Sequence, residues 1–253
     1  MMAQWLPHHT SDGPGHMALD EFLLLRATTV DHFSSAGAAL RTYDWQVPTL
    51  SLGYFQSLAE ARADPRWNAV PLVRRTTGGG AIWHHHEMTY AIALPRSHPL
   101  ARRPTDLYRA VHSSIARSLQ SLGIPAERRG EASARQTRQR PLLCFQDRDA
   151  EDIVVGGSKV LGSAQRRRAG ALLLHGSLLL RRSEFLPELP GLADLFEGLS
   201  DSPAEWSSRL IEPIASAIGL ELRPAEIHDT EQLQVDQIET DIYRNPTWTN
   251  RRE

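Results

Sequence analysis

The stretch from Asp152 to Leu180 constrains the fold more than any other part of the chain. Three short segments, Asp152 to Val155, Lys159 to Arg166 and Leu172 to Leu180, are joined by Gly156-Gly157 and by a turn around Ala169-Gly170. Tight glycine turns connect antiparallel neighbours, whereas parallel strands need a long crossover. The sequence therefore predicts a three-strand antiparallel meander. Strict alternation places Lys159, Leu161 and Ser163 on one face and Val160, Gly162 and Ala164 on the other.

The rest of the chain extends this pattern. Leu40 to Trp45 and Leu50 to Phe55 are β-prone and separated by a turn at Pro48, and Val70 to Arg74 leads into Thr76-Thr77-Gly78-Gly79-Gly80. Ile82 to Leu94 predicts a strand that leaves a loop carrying His84-His85-His86-Glu87. Met17, Leu19, Phe22, Leu23 and Leu24 mark a helix over His16 to Arg26. A clearer helix carries Leu107, Val111, Ile115 and Leu119 at i+4 spacing, with Thr105 as its expected cap and Gly123 and Pro125 as its stop. Ser183 to Leu220 is expected to be helical, with a kink or break at Pro213 in its second helix. Glu127 to Gln139, charged and without apolar period, is expected to be a loop and a candidate lid. Hairpin rather than βαβ connections define an α+β body: a mixed, largely antiparallel sheet flanked by helices. At 253 residues, a single domain over 1–253 without a C-terminal accessory domain is expected.

Several functions are disfavoured. No apolar run approaches the length of a bilayer span, and Met1 to His9 lacks a secretory pattern, so a cytoplasmic location is expected. A net charge of -2, and an Arg166-Arg167-Arg168 run without interleaved aromatics, argue against nucleic acid and fit an acidic protein partner better. Adjacent strand residues face opposite ways, so at most His84 and His86 converge, and no third metal ligand is spaced to join them.

Two residues stand out because each occurs once. Lys159 is the only lysine among 28 basic residues. An ammonium is a compact point charge and a guanidinium a planar fork, so a position that keeps lysine in an arginine-rich chain is a candidate for contact with a reacting carbonyl or phosphate. Cys144 is the only cysteine, which excludes an internal disulfide and leaves either a buried filler or a reactive thiol. The glycine run allows close backbone approach and N–H groups presented to an anion or carbonyl, yet it lacks the spacing of a phosphate loop.

Taken together, these motifs resemble a known superfamily over nearly the whole chain. Leu40 to Trp45 with Pro48 to Gln56, Arg74 to His84, Gly157 to Gln165 and His175 to Leu180 are similar to the entry strands, glycine loop, lysine motif and histidine–glycine strand of lipoate–protein ligases and octanoyltransferases. Tyr243 to Arg252 resembles the family's ending. The resemblance implies a fold shared with biotin ligases and class II aminoacyl-tRNA synthetases, and transfer of an eight-carbon acyl group to a lysine of a lipoyl domain. It implies catalytic roles for Cys144 and Lys159, and substrate contacts from Arg75, Gly78, Gly79, Gly80, Ala81, His84, Gly162, Ser163, Ala164 and His175.

Within the superfamily, Cys144-Phe145 before Asp152-Ile153, and the His86 to Tyr90 run, resemble the cysteine-dependent octanoyltransferase branch. That branch takes octanoate from acyl carrier protein and needs no cofactor. Its acceptors are lipoyl-domain proteins such as the glycine cleavage H protein or a 2-oxo acid dehydrogenase E2. The thiolate is expected to be favoured by Lys159 or an inward His84, with the carrier docking near the arginines of 128–140. Alternatives are an ATP- and magnesium-dependent lipoate ligase, transfer between lipoyl domains, and a non-catalytic relative that binds acylated domains. Two positions depart from the pattern: His85 stands where relatives often carry aspartate, and Gly80 where this branch often carries arginine.

Overall fold

The computed structural model describes residues 1–29, 37–131 and 141–252. In chain order the elements are β1 (Met2–Ser11), α1 (Gly13–Thr29), β2 (Ala39–Trp45), β3 (Thr49–Leu52), α2 (Leu58–Arg62), β4 (Leu72–Arg74), β5 (Ile82–His84), β6 (Glu87–Leu94) and α3 (Pro104–Ser121). There follow β7 (Ala126–Arg128), β8 (Ile153–Val155), β9 (Ser158–Arg168), β10 (Ala171–Leu179), α4 (Leu192–Leu195), α5 (Pro203–Ala217), β11 (Glu221–Pro224), α6 (Asp229–Ile238) and α7 (Pro246–Thr249).

Eight strands form the main sheet in the order β11-β1-β2-β6-β10-β9-β8-β7. The β11-β1 and β1-β2 pairs are parallel and the others antiparallel, which gives the expected mixed, largely antiparallel α+β architecture. Both faces of the central strands are buried. Met88, Tyr90, Ile92 and Leu94 of β6 join Leu172 and Leu174 of β10 in a core beneath α3 and α5, whereas Ala91, Ala93 and Leu173 face the layer of α1 and α6. That alternation is the period of a strand with a hydrophobic layer on each side. A second sheet, β4-β3-β5, stands beside the first and carries the glycine loop between β4 and β5.

The predicted meander is present as β8, β9 and β10. Gly156 (φ 57°) and Gly157 (φ 83°) make one turn, Ala169 (φ 47°) and Gly170 (φ 85°) the other. Two successive positive φ values match the twist of a hairpin. Strict alternation, however, fails at the start of β9. Ile153 pairs with Leu161 while Val154 pairs with Lys159, so a bulge puts one extra residue on β9. Val160 and Leu161 consequently both enter the core, and the Lys159 side chain turns toward Gly162 instead of away from it.

Two helix predictions also need correction. α3 begins at Pro104, whose missing N–H suits the first helical position, and Arg103 flanks it without a side-chain cap, so Thr105 lies inside the helix. Pro213 does not break α5, which continues to Ala217; between Ser183 and Leu220 the only other helix is the short α4. Among the described residues no helix is long and apolar enough to cross a membrane.

Candidate active site

The glycine loop is shaped from behind by a buried arginine. Arg75 donates to the carbonyl oxygens of Ser51 (3.0 Å), Gly78 (2.8 Å) and Gly80 (2.6 Å), and through Nε to the Thr77 hydroxyl (3.1 Å). Burial lowers its pKa to about 10, still cationic near neutrality. Because a trans peptide points its C=O and N–H in opposite directions, anchoring the Gly78 carbonyl turns the Gly79 N–H away from Arg75. Glycine is required where backbones meet. A Cβ on Gly53 would lie 2.1 Å from the Gly79 oxygen, and one on Gly80 would lie 2.9 Å from the Cys144 nitrogen.

That second contact brings Cys144 to the loop. Ala81 donates to the Leu142 carbonyl and Cys144 donates to the Ala81 carbonyl, both at 2.7 Å, forming a parallel bridge between Ala81 and Leu143. Cys144 opens a short 3₁₀ turn, Cys144–Gln146, and is only partly buried. Its side chain packs against a small apolar cluster of Ile82, Phe145 and Leu179.

Lys159 reaches the same place from β9. It is 6% exposed, and its ammonium donates to Asp152 Oδ1 (2.8 Å) and to the Cys144 carbonyl (2.9 Å), with Cys144 Sγ 3.8 Å away. An ammonium has three N–H donors, so one remains for the sulfur side. Burial alone would lower the Lys159 pKa, but its electrostatic contacts with Cys144 and Asp152 carry it above its ordinary value. The close approach to Gly162 follows from the bulge: a Cβ there would lie 2.8 Å from Lys159 Cε.

Gly78, Gly79, Gly80, Cys144, Lys159, Ser163 and Ala164 thus line one open cleft, together with Tyr108, Asp147, Arg148, Asp149, Asp152 and Gln165. Ser163 is set by a buried relay. His112 donates from Nδ1 to the Glu151 carbonyl (2.6 Å) and accepts at Nε2 from the Ser163 hydroxyl (2.7 Å), which in turn accepts from Tyr90 (2.6 Å). Burial, reinforced by the Lys159 charge, pushes His112 down to about 4, in keeping with a neutral ring in those roles.

Arg75, His84 and His175 lie instead around a neighbouring enclosed cavity with Met17, Tyr43, Trp45 and Ile82. His84 is not the cation beside Cys144. Its ring stacks on Trp45 (3.7 Å between centroids), donates to Glu87 (2.6 Å) and accepts from Ser51 (2.7 Å), and burial lowers its pKa. His175 donates to Asp20 (3.0 Å) and accepts from Thr77 (2.7 Å), while Asp20 also pairs with Arg41 (3.0 Å). Among the described residues no group of three or more His, Cys, Asp or Glu is arranged to hold a metal ion.

Sequence reasoning missed Asp152, Asp20 and Tyr108. Asp152 served only as a landmark before Ile153, and nothing in its spacing reveals that the bulge aims Lys159 at it. Of the arginines expected to receive a carrier, Arg128 pairs with Glu151 (2.8 Å) and Arg129 lies 3.8 Å from Asp152, while 132–140 fall outside the described residues.

A partly exposed thiol, a buried ammonium beside it and a backbone-lined cleft form an arrangement suited to group transfer. Residues 12–207 match the lipoyl protein ligase A/B catalytic domain. The octanoyltransferase LipM of Kyrpidia tusciae is 31% identical, over 94% of this chain and 95% of that one. LipM of Symbiobacterium thermophilum is 32% identical over 95% of each. In the solved structures, a chain from an archaeal lipoylation system of Thermoplasma acidophilum, a bi-partite lipoate protein ligase and its E2 lipoyl domain, superposes with a TM-score of 0.70 at 19% identity, over 99% of this chain and 96% of that one. The chain belongs to the lipoyl protein ligase A/B catalytic domain family and is a transferase.

Proposed function

We propose that this enzyme carries an octanoyl group from octanoyl acyl carrier protein, through a thioester on Cys144, to a lysine of a lipoyl domain. The observation that carries the reading is the Lys159 ammonium 3.8 Å from the Cys144 sulfur, on a chain whose relatives are octanoyltransferases. A cation so placed faces the charge that sulfur bears as it attacks the donor carbonyl and as it departs from the acyl group.

In the first step the Cys144 thiolate attacks the donor thioester carbonyl, the carrier's thiolate leaves and takes a proton from solvent, and a new thioester forms on Cys144. In the second, the neutral acceptor amine attacks that carbonyl, an amide forms, and the Cys144 thiolate departs while the amine proton passes to solvent. Charge developing on the carbonyl oxygen meets the Lys159 ammonium and the Gly79 N–H, donors fixed before the reaction begins. Neither step needs ATP or a metal ion. The eight-carbon tail is assigned to the open cleft along Gly78, Gly79, Gly80, Ser163 and Ala164, because the cavity around Met17, Tyr43, Trp45 and Ile82 has room for only about one water molecule.

The test is to mix the protein with octanoyl acyl carrier protein without ATP and weigh it intact. An octanoyl adduct on wild type but not on Cys144→Ala, passed on to a lipoyl domain, supports the thioester route. Modification only when free acid, ATP and magnesium are supplied makes the protein a ligase.

A further inference from the structure

The rim of the cleft carries a surface that the chemistry above does not use. Phe55 is 69% exposed, the joint highest value among the large hydrophobic side chains described. Its ring borders the glycine loop, 3.9 Å from where a Cβ on Gly78 would stand, and makes an edge contact with Tyr54 (4.9 Å). Three arginines surround this pair. Arg166 (4.8 Å) and Arg251 (4.6 Å) lie over the Tyr54 ring, and Arg252 lies 5.5 Å from the Phe55 centroid. Among the described residues none of the three pairs with a carboxylate.

The patch is anchored to the site. Arg166 donates to the Thr76 carbonyl (3.1 Å) at the start of the glycine loop, and Leu58 donates to the Arg252 carbonyl (2.7 Å), fastening the chain's last residues beside Phe55. The clustered charge is strong enough that Arg251 and Arg252 lower the pKa of buried Arg74, after burial itself. An exposed aromatic ringed by arginines is the composition of an interface centre, and its charge fits an acidic partner.

Resting on the thioester reading, we propose that this surface docks the acceptor: an acidic domain that presents its target lysine on an exposed turn. The position favours acceptor over donor. A lysine has only a four-carbon stem, so its domain must sit at the rim itself, whereas a donor that bears its acyl group on a long arm can dock farther off. Arg128 and Arg129, on the other side, are already engaged with Glu151 and Asp152.

The experiment compares wild type with an Arg251→Glu/Arg252→Glu double variant and with Phe55→Ala, all outside the cleft lining. Formation of octanoyl-Cys144 from octanoyl acyl carrier protein is expected to stay within about twofold of wild type. Transfer from preformed octanoyl-Cys144 to an apo lipoyl domain is expected to fall at least about tenfold in the double variant, with a weaker salt dependence. Affinity for the apo lipoyl domain, measured by calorimetry with no acyl donor, is expected to fall in parallel. Unchanged transfer and affinity overturn the proposal, as does a loss confined to the first step. If wild type forms no thioester, the reading of Cys144 fails, yet the calorimetry still decides the docking surface.

Discussion

Lys159 holds Cys144 twice: its ammonium is 2.9 Å from the Cys144 carbonyl oxygen and 3.8 Å from the sulfur. One cation therefore holds the backbone of the proposed nucleophile and faces its sulfur. A planar guanidinium cannot take both positions while also meeting Asp152 at a point. Lys159→Arg is expected to slow octanoyl-Cys144 formation by about 100-fold or more, the scale of losing a fixed transition-state donor. Single-turnover mass spectrometry measures it; a rate within about threefold of wild type would remove Lys159 from the mechanism.

Two glycines near this pair should respond differently to the same added methyl group. At Gly162 the new Cβ meets the movable end of Lys159, so Gly162→Ala is expected to fold normally and lose about tenfold in rate through a displaced ammonium. At Gly80 it meets the Cys144 nitrogen and the Leu142 oxygen (3.0 Å), backbone that cannot swing aside. Gly80→Ala is expected to lower the melting temperature as well as the rate. Equal melting temperatures for the two variants would contradict this assignment.

Asp20 links buried Arg41 to His175, and His175 to Thr77 of the glycine loop. Asp20→Asn leaves the Arg41 charge buried without its partner, at an expected cost of about 3 kcal/mol in urea unfolding. Arg41→Met in the same chain should recover part of that loss. Recovery of nothing would mean that the pair is not what the substitution breaks.

His112 makes stability depend on pH with a definite sign. Its folded pKa, about 4, lies below the ordinary 6.5, so above 6.5 neither the folded nor the unfolded chain protonates it and its full contribution is present. Between 6.5 and about 4 only the unfolded chain takes up the proton, and stability falls by about 1.4 kcal/mol per pH unit, about 3 kcal/mol in all. His112→Gln keeps a donor and an acceptor but does not titrate. From pH 7 to pH 5 wild type should lose about 2 kcal/mol more than this variant; parallel losses would rule out a neutral buried His112.

Much of the architecture was legible because it is local. Gly156-Gly157 and Ala169-Gly170 announce their hairpins through φ, and Leu107, Val111, Ile115 and Leu119 announce α3 through spacing. The site was legible in part: Cys144 and Lys159 stand out by being single, and the loop glycines by their run. What stayed hidden is relational. The bulge before Leu161 leaves no mark in residue types, so alternation put Lys159 on the wrong face and concealed Asp152. Nor can a sequence tell that His84 is committed to Glu87 and Ser51, since the pairing of β3 with β5 that brings Ser51 to it is set by the fold.

The burial of the only lysine has one more consequence. An enzyme that hands activated acyl groups to amines risks decorating itself, because every exposed lysine within reach of its own thioester competes with the intended acceptor. Here the surface cations are arginines, whose guanidinium stays protonated and so makes a poor nucleophile, and the single side-chain amine is sealed against Asp152. The side chains of the molecule are in this sense blank to its own reagent.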